Sequence, residues 1–475
     1  MDRKLFSNYF FNILYQLLLV IMPLITVPYT TRVLGADLLG TNAHTASIAQ
    51  WFVIFGIMGI NMYGNREIAR VRDDKNELSK TFFEIYLMQF INLIIVGVIF
   101  LLFVWVTDFS FNNILLIQGI TLISVMFDIT WFFYGVEDFK KASIRNMVIK
   151  VLGVSLIFIL VKGHDDFITF ILINTLTAIL GQVIMWVQLR QYINFTKVSL
   201  KGAYKHFKPN IDLFIPQVAI SVYVVLDITM IGFLSTDADV AFYQNSQRIV
   251  KMFLVFVTSI GAVMLPRIAN TFHKGDVEQV NKYISTTMKL ALYLSIPMMF
   301  GMMAVGPYFV NWFLAPEFSV VGPLIMITAP IMLFISISNV FGIQYMVPTG
   351  MSKEYSRSVI IGAVTNLILN TILIPFFGAF GAAIGSLGAE LMVTLVQYYY
   401  IRSKIKLNIN FASLFKFFFS GVVMLFAVRY IGDTLGDNAI SNIAQAAIGA
   451  TIYLSMITLM KEEFHFKIIQ KVLRR

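Results

Sequence analysis

Cysteine is absent from this chain of 475 residues, which removes disulfides and thiolate metal sites. Charge is scarce: 13% of residues are Asp, Glu, Lys or Arg, against roughly a quarter in soluble domains. Histidine is limited to His44, His164, His206, His273 and His465. No two of these stand at metal-ligand spacing and no HExxH occurs, so no metal site is expected. A Gly-rich loop closing on Gly-Lys-Ser/Thr is missing too, which excludes nucleotide binding by that route, and no cofactor is expected. No connection is long enough for a separate soluble domain, so any chemistry must lie in or at the rims of apolar segments.

Apolar sequence is what the chain has in quantity. It is 58% hydrophobic, with a mean hydropathy of +0.78. Runs of about 20 apolar residues, each sufficient to cross a bilayer, recur from end to end. The fold class expected is an all-α polytopic membrane protein with about fourteen spans. Their approximate limits are 8–32, 40–63, 80–105, 112–135, 144–162, 166–190, 209–234, 240–265, 284–309, 321–346, 356–377, 380–402, 412–431 and 440–460. The first helix lacks a small-residue cleavage site behind it and is read as retained.

Basic residues gather on alternate connections. One set holds Arg66, Arg70, Arg72, Lys75 and Lys80, then Lys140, Lys141, Arg145 and Lys150, and recurs through Arg190–Lys208, Arg267–Lys289, Lys353–Arg357, Arg402–Lys416 and the tail. The other set holds only Arg32, Lys162 and Arg429. By the positive-inside rule both termini are cytoplasmic. The net charge of +10 then reflects topology and attraction to anionic lipid, with no nucleic-acid partner needed.

The chain also echoes itself. Val33-Leu34-Gly35-Ala36-Asp37 and its surroundings return as Phe233-Leu234-Ser235-Thr236-Asp237, and Ile68-Ala69 returns as Ile268-Ala269. A weaker echo places Gly135 and Gly350 before charged turns bearing Phe139 and Tyr355. A parallel duplication follows, with lobes at 1–200 and 201–405 and two extra spans and a tail at 406–475.

Ionisable residues at membrane depth are costly and so are functional candidates. Gln244, Gln247, Arg248 and Lys251 follow i, i+3, i+4, i+7 spacing on span 8, one helical face that Thr258 and Ser259 continue. A water-filled, anion-attracting cavity is the favoured reading; packing against a neutralising partner is the alternative. Arg32 and His44 are candidates for the outer mouth, although Arg32 can also snorkel and a buried histidine more often packs. Asp227, Asp128 and Glu390 are the acids at depth, either ion-coupling sites or structural partners of buried bases. Gln50, Asn366 and Asn370 suit interhelical hydrogen bonds, and Pro23, Pro28, Pro216 and Pro297 suit helix bends.

Several stretches together resemble Wzx-type polysaccharide flippases of the MOP exporter superfamily. They are Pro28-Tyr29-Thr30-Thr31-Arg32-Val33-Leu34-Gly35, Tyr63-Gly64-Asn65-Arg66-Glu67-Ile68-Ala69, Trp131-Phe132-Phe133-Tyr134-Gly135-Val136-Glu137, Tyr243–Lys251 and Leu265-Pro266-Arg267. The resemblance covers essentially the whole chain. It implies two six-helix lobes in a V plus two peripheral helices, a bacterial plasma-membrane location, and no enzymatic activity. It also implies movement of undecaprenyl-diphosphate-linked oligosaccharide to the outer leaflet for surface-polysaccharide synthesis, by alternating access through a cationic cavity. The bilayer and polysaccharide polymerase machinery are the further partners implied. Arg32 and Arg248 match, by helix, arginines important in the related lipid II flippases; span 2 carries His44 where those have arginine, which argues against lipid II itself. The rivals are a drug or cation exporter of the same superfamily, whose cavity should be acidic or aromatic, and a membrane glycan polymerase, which would need a sizeable outer loop.

Overall fold

A computed structural model describes residues 3–405 and 410–473; the side chains of residues 3–6, 9, 212–213, 215–224, 260, 262–263 and 471–473 lie outside what is described, and Pro216 with them. Among the described residues every regular element is helical. Ten helices among the described residues are long and apolar enough to cross a membrane, or eleven if one bent pair counts as a span. The chain is therefore a multi-span membrane protein. It divides into two compact units, residues 1–229 and 230–475.

The first unit holds α1 (Arg3–Ile57), α2 (Ile60–Val71), α3 (Lys75–Val106), α4 (Asn112–Gln118), α5 (Ile120–Met126), α6 (Thr130–Gly135), α7 (Phe139–Leu160), α8 (Phe167–Leu189), α9 (Leu200–Tyr204) and most of α10 (Phe207–Leu234). At about 1.5 Å per residue, the 55 residues of α1 would far exceed a hydrocarbon core of about 30 Å. The helix breaks at Gly35, whose φ of 76° and ψ of 177° suit a residue without Cβ. Asp74 starts α3 by accepting hydrogen bonds from the backbone N–H groups of Asn76 (2.8 Å) and Glu77 (3.2 Å), which answers two orphan donors of the first turn.

The fourth apolar run, expected as one span, is three short helices. Breaks at Gly119 and at residues 127–129 interrupt the regular helix, and backbone polar groups at such a break in a membrane must be satisfied from within the protein. Gln89 on α3 does this: its Nε2 donates to Val125 O and Asp128 O, both at 2.9 Å. Its Oε1 accepts from Trp131 Nε1 at 2.9 Å, so one buried amide fixes the break and seats the indole. Trp131, Phe82, Phe132 and Phe133 form the centre of the core. Gly64 lets α2 approach it, since a Cβ there would lie 2.5 Å from Trp131 Cε3.

The second unit begins in α10 and holds α11 (Asp237–His273), α12 (Val277–Phe313), α13 (Val321–Thr328), α14 (Ile331–Ser338), a wide turn of helix at Asn339–Met346, α15 (Ser352–Ile401), α16 (Phe411–Leu435), α17 (Ala439–Leu459) and α18 (Glu463–Leu473). Ser235 and Thr236 separate α10 from α11, and the Thr236 hydroxyl accepts from Asp239 N at 3.2 Å. Asp237 and Asp239 add negative charge to that first turn, where the helix dipole favours it. The tenth run is also broken, the segments Pro316–Thr328 and Ile331–Met346 meeting at 43°. α15 breaks at Gly378 (φ 52°). Packed against α12 are α16 and α17; a Cβ at Gly432 would come within 2.6 Å of the Tyr308 ring.

Candidate functional site

The residues expected on the polar face of span 8 lie on α11. At about 1.5 Å per residue, Arg248 sits roughly 16 Å from the helix start, about half the depth of a bilayer core. One side of the helix is packed: Tyr243, Gln247, Val250 and Val257 are buried, and Ser246 shares a 2.9 Å hydrogen bond with Thr328 on α13. The other side is open. Gln244 is half-buried, and Arg248, Lys251 and Ser259 are exposed. Among the described residues neither Arg248 nor Lys251 makes an ion pair. Gln247 turns inward: its Nε2 donates to Tyr243 Oη at 3.1 Å, and that hydroxyl bonds Ser386 Oγ at 2.7 Å. Thr258, on the same run, returns its hydroxyl proton to Leu254 O at 3.2 Å.

The remaining candidates fall in different settings. Arg32 is exposed and donates from Nη1 to Pro28 O at 2.8 Å. His44 is only 1% exposed, its ring 5.1 Å from Phe111 in an edge-on contact. Asp227 is buried on α10 just before Thr229, whose hydroxyl oxygen accepts from Trp51 Nε1 at 2.9 Å. Asp128 stands at the break before α6 and accepts from the N–H (2.9 Å) and hydroxyl (2.5 Å) of Thr130. Glu390 is half-buried on α15, near the Tyr355 phenol. Asn370 donates to Asn366 Oδ1 at 3.2 Å, both fully buried, whereas Gln50 is exposed.

Two charged clusters in the first unit escape a reading by run length and spacing. Arg145 falls in the sequence among the basic connections, yet it is 8% exposed and donates from Nη2 to Thr130 Oγ1 at 2.7 Å. Thr130 in turn bonds Asp128, so a buried base reaches a carboxylate through one hydroxyl. The second cluster centres on Glu84, buried on α3. Its Oε2 accepts from Lys205 Nζ (2.5 Å) and His206 Nε2 (3.2 Å), and His206 Nδ1 lies 2.6 Å from Tyr63 Oη. Burial lowers the His206 pKa, partly opposed by Glu84. Gly202 makes room for the carboxylate, since a Cβ there would lie 2.5 Å from Glu84 Oε1. Nothing in the local sequence around Glu84 announces partners more than a hundred residues away.

The fold defines a class. It superposes on the inward-closed structure of the lipid II flippase MurJ with a TM-score of 0.75 at 16% identity, over 97% of this chain and 99% of that one. An inward-facing MATE-family multidrug transporter of the MOP superfamily matches with a TM-score of 0.58 at 13% identity, over 81% of this chain and 98% of that one. This is the fold of MOP-superfamily transporters. The family follows from sequence: the polysaccharide biosynthesis protein model matches residues 5–272, and the chain belongs to that family. The MatE model matches residues 213–377. A putative O-antigen transporter of Shigella dysenteriae is 25% identical over 79% of this chain and 94% of its own length. The resemblance to Wzx-type flippases of the MOP superfamily is thus borne out, and the proteins compared are transporters rather than catalysts.

Proposed function

We propose that this protein flips undecaprenyl-diphosphate-linked oligosaccharide across the bacterial plasma membrane, from the cytoplasmic to the outer leaflet, for surface-polysaccharide assembly. The observation that carries the reading is the open face of α11, where Arg248 and Lys251 stand exposed near mid-depth without an ion pair among the described residues. A charge there is costly unless water or an anion answers it. A diphosphate answers it, and a guanidinium can grip phosphate oxygens bidentately. Gln244, Gln247, Arg32 and His44 are the further polar groups assigned to the transport path, and Asp227, Asp128 and Glu390 the candidates for coupling to a proton or sodium gradient. Two lobes, 1–200 and 201–405, alternate access with 406–475 peripheral, and both termini are cytoplasmic. The O-antigen transporter relative supports the cargo class, and polysaccharide polymerase machinery is the expected recipient.

Depletion of the protein tests this. Undecaprenyl-diphosphate-linked oligosaccharide should accumulate in the cytoplasmic leaflet; unchanged lipid-linked sugars with lost drug efflux would favour the exporter reading instead. Impermeant thiol reagents test the orientation: a cysteine placed at Lys75 should be shielded and one at Asp237 labelled.

A further inference from the structure

A groove of about 730 Å³ opens on the first unit between α3 and α8. Its walls are apolar and aromatic: Phe83 and Tyr86 on α3, Phe127 at the helix break, Ile179 and Trp186 on α8. Tyr86 and Trp186 meet edge-on with centroids 4.7 Å apart, and Trp186 Nε1 donates to Phe127 O at 2.9 Å, so the floor is fixed. The outer lip is unusually bare for a packed surface, with Val183 54%, Val187 63% and Phe195 83% exposed.

Depth and charge identify the occupant. From Ile179 to Arg190 the groove follows α8 for about 16 Å at 1.5 Å per residue, close to one leaflet of a core about 30 Å thick. Arg190 stands exposed where the helix ends, at the level of the basic connections, and makes no ion pair among the described residues. The nearby acid Asp138 is already engaged by Lys141 (3.7 Å) and the Tyr192 hydroxyl (2.5 Å). A cation at the headgroup level above an apolar slot one leaflet deep fits a lipid whose chain fills the slot and whose phosphate meets the guanidinium.

We propose that the α3–α8 groove is a binding site for an anionic phospholipid of the leaflet on the basic side of the membrane. One acyl chain lies against Trp186 and the headgroup phosphate sits on Arg190. The proposal does not depend on the transport reading.

Trp186 reports on it directly. In a variant with Trp51, Trp105, Trp131 and Trp312 replaced by Phe, fluorescence is measured in vesicles containing brominated phosphatidylglycerol or brominated phosphatidylcholine at equal mole fraction. Quenching by the anionic lipid should be at least twofold greater, and Arg190→Gln should equalise the two. Equal quenching with Arg190 present would mean ordinary boundary lipid and overturn the proposal, as would a preference that survives Arg190→Gln. A second measurement covers the case in which the Trp131 replacement disturbs the core. Native mass spectrometry of the otherwise unaltered protein should show retained phosphatidylglycerol that Arg190→Gln removes. Identical lipid retention in the two proteins would contradict the site.

Discussion

Two arginines, Arg145 in the first unit and Arg248 in the second, are accommodated differently in the fold. Arg145 is buried on α7 against Gly181 of α8, donates to Thr130 and reaches Asp128 through that hydroxyl. Its charge has a permanent answer inside the protein. Arg248 is exposed on α11, with Lys251 one turn further on, and neither makes an ion pair among the described residues. A buried cation with a built partner is a structural element whose removal strands that partner. An exposed cation without such a partner can be replaced without stranding one. The difference lies in what surrounds each charge rather than in the charge.

The largest effect on folding is expected from Arg145→Ala. It strands the Thr130–Asp128 pair and should cost roughly 1.5–3 kcal/mol for the lost charged hydrogen bond. Membrane abundance should drop sharply, with partial recovery when Asp128→Asn is added. Normal abundance would break the distinction. Gly64→Ala supplies a charge-free control in the same unit. Its Cβ must push on Trp131, an overpacking cost of typically 1–3 kcal/mol, and transport per molecule in the surviving fraction should be unchanged. Thr236→Ala removes the cap from the helix that carries Arg248, at a cost of about 1 kcal/mol. A melting-temperature decrease with transport retained would show that α11 tolerates weakening so long as its cations stay.

The smallest effect sharpens the contrast by pH. Burial lowers the His206 pKa below the ordinary value near 6.5. The unfolded chain therefore takes up the proton first as pH falls, so stability is present above about pH 6.5 and declines below it. The melting temperature should fall on acidification from pH 7 toward 5.5, and fall less in His206→Gln, whose side chain can still hydrogen-bond Tyr63 or Glu84. An unchanged slope would show that the cluster does not titrate as a buried neutral histidine.

Most helices were legible because a bilayer demands long apolar runs, and those runs are visible without a partner. What the runs concealed was their interruptions. Asn112–Gly135 reads as one span, yet it breaks near Gly119 and Asp128, and Gln89 and Trp186 on other helices answer the carbonyls of the second break. The weaker internal echo shows a similar limit. Gly350 adopts φ 79°, whereas Gly135 stays helical and the left-handed residue of its turn is Glu137, at φ 57° and paired with Arg72 at 2.5 Å. In the candidate site, helical spacing placed Gln244, Arg248 and Lys251 on the open side, but Gln247 lies at the edge of that arc and finds Tyr243 instead. Arg145 was hidden among basic connections because charge patterning counts residues near a membrane end without knowing which of them a neighbouring helix covers.

The most direct test pairs membrane abundance with flipping of lipid-linked oligosaccharide in the Arg248→Ala, Lys251→Ala double variant. Abundance should stay near normal while flipping falls at least tenfold, with Arg248→Lys retaining part of the activity because a single ammonium replaces a bidentate guanidinium. Normal flipping in the double variant would contradict the assignment of these two cations to the cargo. Loss of abundance in parallel with flipping would contradict it as well, by making Arg248 a structural residue like Arg145.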